Sequence, residues 1–172
     1  MSTPTIVKNI ISTKLCEICL DEIDGIKDWR TSTVWEAGLQ EGYTGVCHIA
    51  DVSANTKIKI LASVRKYLPK ISNDNYVVQY HDWKIGSGIQ WHTDDVYKFG
   101  ATIYLNEWNQ RWGGLFLYKV GDMILGCMPE PRKLVCIENV PHSVTPILSH
   151  APVSRKAVQI FGCHRYSYED LF

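Results

Sequence analysis

The stretch Gly88-Ile89-Gln90-Trp91-His92-Thr93-Asp94-Asp95 places a histidine and an aspartate two positions apart in a segment that reads as a β-strand. Side chains at positions i and i+2 of a strand point to the same face. The imidazole of His92 and the carboxylate of Asp94 are therefore predicted to emerge together, where they could occupy two neighbouring positions on a metal ion. A His-x-Asp triplet is short enough to arise by chance, so the prediction depends on the rest of the chain.

His142 offers a third ligand in the segment Val140-Pro141-His142-Ser143-Val144, which begins another predicted strand. Two histidines and one carboxylate make up the facial triad of non-haem Fe(II) oxygenases, a ligand set that leaves positions on the metal open for a co-substrate and O₂. We therefore predict a metal site built from His92, Asp94 and His142.

Arg155 lies in the apolar segment 153–161, where strand alternation predicts that its side chain points inward with Ala157 and Gln159. A buried guanidinium needs an anionic partner because an unpaired buried charge is very costly. No acidic residue is close in the sequence, so one candidate counter-ion is a bound carboxylate, which arginine grips in a two-pronged manner. The alternative is a charge that faces solvent. Tyr104 could donate its hydroxyl to the same carboxylate, or it could pack in the core.

The composition of the chain excludes several classes of protein. Its 172 residues suit one domain, and 45% hydrophobic with 21% charged residues is typical of a globular rather than a disordered protein. The formal net charge of zero argues against a broadly basic nucleic-acid-binding surface. No apolar run approaches the roughly 18 residues of a membrane span, and the first residues lack signal-peptide features, so we expect a cytoplasmic protein without a membrane partner. The six cysteines are predicted to be buried free thiols.

The chain divides into a helical head, residues 1–72, and a β-rich body, residues 73–172. In the head, Ser12 or Thr13 can cap a first helix, and a second helix is predicted over residues 55–68. The apolar side of the second helix is predicted to contain Ile58, Leu61, Val64 and Leu68.

The body reads as a series of short strands separated by turn-like stretches, which is typical of a sandwich or barrel. The predicted strands are Tyr76–Tyr80, Ile89–Asp94, Ala101–Leu105, Leu115–Lys119, Lys133–Glu138, His142–Ile147 and Lys156–Cys163.

The stretch from Tyr76 to Cys163 resembles the catalytic core of the 2-oxoglutarate- and Fe(II)-dependent dioxygenases, and within them the prolyl-hydroxylase-like branch. The segments that carry the resemblance are Gln90–Asp95, Ala101–Trp108, Trp112–Tyr118, Pro131–Ile137, Pro141–Ile147 and Arg155–Val158. Each segment is a weak signal alone, but their order and spacing match the motifs of the family.

The resemblance implies an α+β protein in which a distorted double-stranded β-helix (jelly roll) is supported by N-terminal helices, all within a single domain over residues 1–172. It implies that Fe(II) is bound by His92, Asp94 and His142.

For the co-substrate, the resemblance implies that Arg155, helped by Tyr104, pairs with the distal carboxylate of 2-oxoglutarate. Tyr80 and Trp83 compete for a further aromatic position in the co-substrate pocket, because the sequence before the His-x-Asp motif departs from the usual pattern of the family. Of these two, we predict Tyr80 as the cofactor-binding residue.

The implied activity is hydroxylation of an unactivated C–H bond, coupled to the oxidative decarboxylation of 2-oxoglutarate by O₂. Ascorbate is a possible additional cofactor. Asp94 argues against the related halogenases, which carry a small residue at this position. Phe161 stands where the nucleic-acid demethylases of the superfamily carry a second arginine, so nucleic acid ranks low as a partner.

The expected substrate is a prolyl or other amino-acid residue in a peptide or protein. A free amino acid or small metabolite is the near alternative, and a cupin-like metal-binding barrel without 2-oxoglutarate turnover or a noncatalytic interaction domain are the more distant ones. Asp95, Tyr97 and Trp108 are the candidate substrate-binding residues. Trp108 could instead pack at the barrel mouth.

Overall fold

The computed structural model describes residues 3–31, 39, 41–71 and 75–163. Two α-helices and eleven strands lie within these residues. The helices are α1 (Thr13–Gly25) and α2 (Ala54–Val64). The strands are β1 (Thr5–Val7), β2 (Arg30–Thr31), β3 (Cys47–Asp51), β4 (Tyr76–Trp83), β5 (Ile89–His92), β6 (Tyr97–Tyr104), β7 (Phe116–Val120), β8 (Met123–Cys127), β9 (Leu134–Ile137), β10 (His142–Val144) and β11 (Arg155–Cys163).

The strands form two antiparallel sheets. The larger sheet has the strand order β1-β9-β6-β11-β4-β3-β2, and the smaller has the order β5-β10-β7-β8. One apolar cluster joins the larger sheet to the two helices, and a second cluster joins the inner faces of the two sheets. This two-sheet core with helices on one outer face confirms the predicted jelly-roll α+β fold.

Alternation along the central strands divides their side chains between the two clusters. On β11, Val158 and Ile160 pack toward the helices, whereas Arg155, Ala157 and Gln159 face the smaller sheet. The register of β11 with β4 and β6 extends the same division across the sheet. The inward direction predicted for Arg155 therefore holds.

Helix α1 begins where its sequence predicts. The Ser12 side chain accepts a hydrogen bond from the Leu15 backbone N–H at 3.1 Å, which satisfies one of the donors left free at a helix N-terminus. Leu15, Cys19 and Ile23 are buried against the larger sheet. Because the N-cap and the apolar spacing agree, the local sequence is sufficient to define this helix.

Helix α2 is oriented largely as predicted, since Val64 and Leu68 are buried and Leu61 packs against the core, but one predicted residue lies on the exposed side. Its buried residues are Thr56, Ile60 and Val64, which recur every four residues on one face, and a 3₁₀ turn continues it over Arg65–Tyr67. Ile58 is 67% exposed, so its assignment to the buried side is wrong. Thr56, a small polar residue on the buried face of α2, donates a hydrogen bond from its hydroxyl to the Glu22 carboxylate of α1. This contact favours the observed rotation of α2.

The first 72 residues contribute strands as well as helices, which the prediction of a helical head missed. Strand β1 pairs with β9, and β3 pairs with β4, so both extend the larger sheet. These strands are short, and their partners lie far away in the sequence. Strand β8, at the edge of the smaller sheet, was also missed.

The six cysteines are buried free thiols, as predicted. In the described part of the chain, neither helix has the length and apolar composition that crossing a bilayer requires.

Candidate metal centre

His92 and His142 lie opposite each other on neighbouring strands. His92 is the last residue of β5 and His142 the first of β10, and the antiparallel register pairs them directly. Their ring centroids are 4.1 Å apart. Asp94 lies two residues beyond the end of β5, rather than within the strand as predicted, and it still reaches the same point.

Each histidine has one ring nitrogen held by the backbone. The Nδ1 atom of His92 lies 2.8 Å from the Gln90 carbonyl, and that of His142 lies 2.9 Å from the Val140 carbonyl. Because a carbonyl only accepts, Nδ1 carries the proton in both rings and Nε2 is left with a free lone pair. Both Nε2 atoms are therefore in the form that binds a metal.

The Asp94 carboxylate lies between the two free nitrogens. Its Oδ1 is 3.7 Å from His92 Nε2, and its Oδ2 is 3.7 Å from His142 Nε2. One ligand atom from each of the three residues lies within 4.8 Å of the others. Burial lowers the pKa of His142 despite the opposing attraction of Asp94, which favours the neutral, metal-binding imidazole. This donor set fits a divalent transition metal such as Fe(II).

Gly100 of β6 makes room for the Asp94 carboxylate. A Cβ atom at this position would lie 2.6 Å from Asp94 Oδ2, well inside van der Waals contact. A glycine within a strand often marks the close approach of another group, and here that group is a predicted metal ligand. Gly100 thus determines where the carboxylate can lie.

The three predicted metal ligands line a cavity of about 620 Å³ between the two sheets. Its floor is formed by successive cross-strand rows of the larger sheet. From one end to the other these rows are Trp83 with Arg155; His81, Ala157 and Tyr104; Gln79, Gln159 and Thr102; and Gly100 with Phe161. We call the Arg155 row and its neighbour the buried end of the cavity. The opposite end, which we call the open end, contains the half-buried Tyr97 and Phe161 and the exposed Asp95.

Arg155 is held firmly at the buried end. It is 3% exposed, its guanidinium carbon lies 5.0 Å from the centre of the Trp83 ring and 5.6 Å from that of Tyr104, and one Nη donates to the Gly114 carbonyl. Its Nε has no hydrogen-bond partner, and within the described residues no carboxylate forms an ion pair with it. Burial lowers the pKa of the guanidinium, yet an arginine stays charged. A buried cation with a free N–H donor is suited to bind an anion.

Solved structures share this architecture. A 2OG-Fe(II) oxygenase family protein from Burkholderia pseudomallei superposes with a TM-score of 0.66 at 16% identity, covering 95% of this chain and 89% of that one. The chain has the 2-oxoglutarate/Fe(II) oxygenase fold. No protein-family model matches the sequence, and no curated protein is significantly similar to it.

Two prolyl hydroxylases have the same oxygenase fold. One is from Trichoplax adhaerens, in complex with a peptide fragment of the hypoxia inducible factor oxygen degradation domain; its TM-score is 0.72 at 15% identity, covering 93% of this chain and 83% of that one. The other is a viral collagen prolyl hydroxylase from Paramecium bursaria Chlorella virus-1 in a 2OG complex, with a TM-score of 0.63 at 11% identity, covering 93% of this chain and 95% of that one. The predicted likeness to the prolyl-hydroxylase-like branch is thus confirmed at the level of fold.

Tyr80 does not take part in the cavity of this oxygenase fold, so the prediction that it binds the co-substrate is wrong. It is fully buried in the cluster on the helical side of the larger sheet, and its hydroxyl donates to Glu22 Oε2 at 2.7 Å. Successive residues of a strand face opposite sides, so His81 and Trp83 point into the cavity in its place. Trp83, the competing candidate, provides the aromatic face beneath Arg155.

The predicted substrate-binding residues fall into two groups. Asp95 and Tyr97 line the open end of the cavity, where the Tyr97 ring stacks on that of Phe161 at a centroid distance of 4.2 Å. Trp108 does not line the cavity. It is 8% exposed, its Nε1 donates to the Gly113 carbonyl at 2.8 Å, and its ring meets that of Trp112 edge-on, so the prediction of a substrate contact is wrong for this residue.

Sequence reasoning missed two residues that shape the cavity. The signal for Gly100 was a glycine inside an apolar strand pattern. The signal for His81 was its position two residues before Trp83, which places both side chains on one strand face.

Proposed function

We propose that the protein is a non-haem Fe(II), 2-oxoglutarate-dependent dioxygenase that hydroxylates an unactivated C–H bond. The observation that carries the proposal is that one cavity contains both a His-Asp-His group and a buried arginine that, among the described residues, forms no ion pair with a carboxylate. A dicarboxylate with a metal-chelating keto acid at one end is complementary to both features.

The residues of the ligand set would hold Fe(II) through His92 Nε2, Asp94 and His142 Nε2. Fe(II) bound there supplies O₂ activation coupled to the decarboxylation of 2-oxoglutarate. The chain itself orients the ligands, because backbone carbonyls hold both Nδ1 atoms and Gly100 leaves space for the carboxylate. Such support from outside the ligand set fixes the tautomer and the orientation of each ring.

Arg155 would orient 2-oxoglutarate by binding its distal carboxylate. The guanidinium cannot turn away, since it lies against the rings of Trp83 and Tyr104 and donates to the Gly114 carbonyl. Burial raises the pKa of Tyr104, so its hydroxyl keeps its proton and can donate to the same carboxylate. The buried end of the cavity is therefore preorganised for an anion.

We propose an amino-acid residue of a peptide or protein as the substrate, with proline as the first candidate. The open end of the cavity supports this, because Tyr97 and Phe161 offer an aromatic wall and Asp95 a polar rim next to the ligand set. The prolyl hydroxylase of Trichoplax adhaerens, which has the same fold, is described in complex with a peptide. We propose one catalytic domain over residues 1–172, and the free thiols support a reducing compartment such as the cytoplasm.

The decisive experiment adds Fe(II) and then 2-oxoglutarate to the apoprotein under anaerobic conditions. A weak visible charge-transfer band is expected for the wild-type protein and is lost in His142→Ala. His150→Ala serves as the matched control, since His150 is exposed and its ring nitrogen bonds to the Arg111 carbonyl. Absence of the band in the wild-type protein would reject the proposed function.

A second measurement assigns the substrate class. Succinate release is followed with proline-containing peptides and with free amino acids at equal concentration. Stimulation by peptides alone supports the proposed substrate, and stimulation by free amino acids alone contradicts it. Metal binding without any effect of 2-oxoglutarate would instead indicate a cupin-like protein.

A further inference from the structure

The buried end of the cavity holds a second polar side chain without a partner. His81 is 3% exposed, lines the cavity, and its Nε2 atom has no hydrogen bond. Such groups are rare in native proteins, because a buried polar atom is usually satisfied by protein or by a ligand. The Nε of Arg155 is unpartnered in the same part of the cavity.

The strand register places His81 next to the Arg155 row. His81 pairs with Ala157 of β11 on one side, and Ala157 pairs with Tyr104 on the other. The small side chain of Ala157 therefore leaves a slot between an imidazole and a phenol. Trp83 and Arg155, which pair with each other, close the end of that slot.

His81 is uncharged in this position. Burial lowers its pKa to about 3, and the nearby Arg155 charge contributes in the same direction. A neutral imidazole has one N–H to donate, and it adds no second positive charge to the site. The slot thus offers one cation and two neutral donors, which suits a single carboxylate with several acceptor positions.

We propose that His81 is a co-substrate-binding residue, which donates a hydrogen bond to the distal carboxylate of 2-oxoglutarate beside Arg155. This inference rests on the proposed function. It assigns His81 a role in selecting a dicarboxylate, in addition to its packing against Trp83, whose ring centroid lies 6.3 Å from that of His81.

The test is a binding titration rather than an activity assay. Under anaerobic conditions with Fe(II), the charge-transfer band gives the Kd of 2-oxoglutarate and of 2-oxopentanoate, which has a methyl group in place of the distal carboxylate. His81→Leu should weaken 2-oxoglutarate about 10- to 100-fold, as expected for a hydrogen bond to a charged group, and should leave 2-oxopentanoate within about 3-fold. His81→Gln, which retains a donor, should recover part of the loss.

His48→Leu is the matched control, because His48 lies on the neighbouring strand β3 outside the cavity. Melting temperatures of all variants establish that they are folded. If His81→Leu weakened the binding of both keto acids equally, the effect would be one of packing and the inference would be overturned. Unchanged binding of 2-oxoglutarate would also overturn it. A wild-type protein that binds neither keto acid would instead reject the proposed function itself.

Discussion

Gly100 shows how the absence of one methyl group can leave space for a predicted metal ligand. Its Cα lies so close to Asp94 that an added Cβ would meet Oδ2 at 2.6 Å. Asp94 follows the end of β5 and has no strand pairing of its own to hold it. The carboxylate is therefore the ligand that would move if this space were filled.

We predict that Gly100→Ala lowers the affinity for Fe(II) about 10- to 100-fold, the range seen when the support of a metal ligand is disturbed. Anaerobic equilibrium titration with Fe(II) measures the effect. Gly126→Ala is the control, because Gly126 is also a strand residue but an added Cβ would meet its nearest neighbour at an ordinary 3.4 Å. Equal metal affinity in the two variants would show that Asp94 is free to move.

The role in 2-oxoglutarate binding that we propose for Arg155 conflicts with the stability of the ligand-free protein. Its charge is buried without an ion-pair partner among the described residues, which is unfavourable in the absence of a bound anion. Arg155→Met keeps most of the volume and removes the charge. We therefore expect an equal or higher melting temperature for the apoprotein, even though the Gly114 carbonyl loses its donor.

The same variant should weaken 2-oxoglutarate binding by at least about 30-fold, since one partner of a buried charge pair is gone. Saturating 2-oxoglutarate should raise the melting temperature of the wild-type protein but not that of Arg155→Met. Arg155→Lys is the control that keeps the charge and loses the planar fork. A clearly lower melting temperature for the Arg155→Met apoprotein would contradict this account.

At the scale of elements, Glu22 joins both helices to the sheet. Its carboxylate accepts hydrogen bonds from Ser53 and Thr56 at the start of α2 and from Tyr80 of β4. Burial raises the pKa of Glu22, but these hydrogen bonds outweigh it and leave the pKa below its usual value. The ionised carboxylate is thus the form that holds the helices in place.

We predict that Glu22→Gln destabilises the protein by about 2 kcal/mol at pH 7, measured by urea unfolding. Glu22 has a depressed native pKa, so its stabilising effect is present above the unfolded value of about 4.3 and is lost as the pH falls through the native pKa. The difference in the free energy of unfolding between Glu22→Gln and the wild type should therefore become smaller below about pH 4. Glu17→Gln, an exposed change on the same helix, should have little effect. A difference that is independent of pH would contradict the assigned role.

The contrast between Asp94 and Tyr80 shows what the sequence could predict. The sequence predicted that His92, Asp94 and His142 lie together, and the structure brings their ligand atoms within 4.8 Å of one another. The face on which Tyr80 lies was not predictable, since nearly all of β4 is buried and no apolar-polar alternation distinguishes its two sides. Only the pairing of β4 with β11 assigns Tyr80 to the helices and His81 to the cavity.

For the whole molecule, the strands of the head were missed for a related reason. Strands β1 and β3 are only three and five residues long, and pairing with distant β9 and β4 gives them their structure. Helix α2 was located correctly, but its rotation depends on Glu22 of another helix. Local patterns therefore located the two helices and most strands of the body, whereas the strands of the head and the arrangement of the elements depend on long-range contacts.

The direct pairing of His92 with His142 makes any bound ion a crosslink between two strands that are distant in the sequence. Local opening of β5 away from β10 would then require release of the ion. At free Fe(II) 100 times its Kd, amide hydrogen exchange in these strands should slow about 100-fold if exchange needs that opening, with β1 unaffected. Unchanged exchange in β5 and β10 would mean that the ion does not hold the smaller sheet closed.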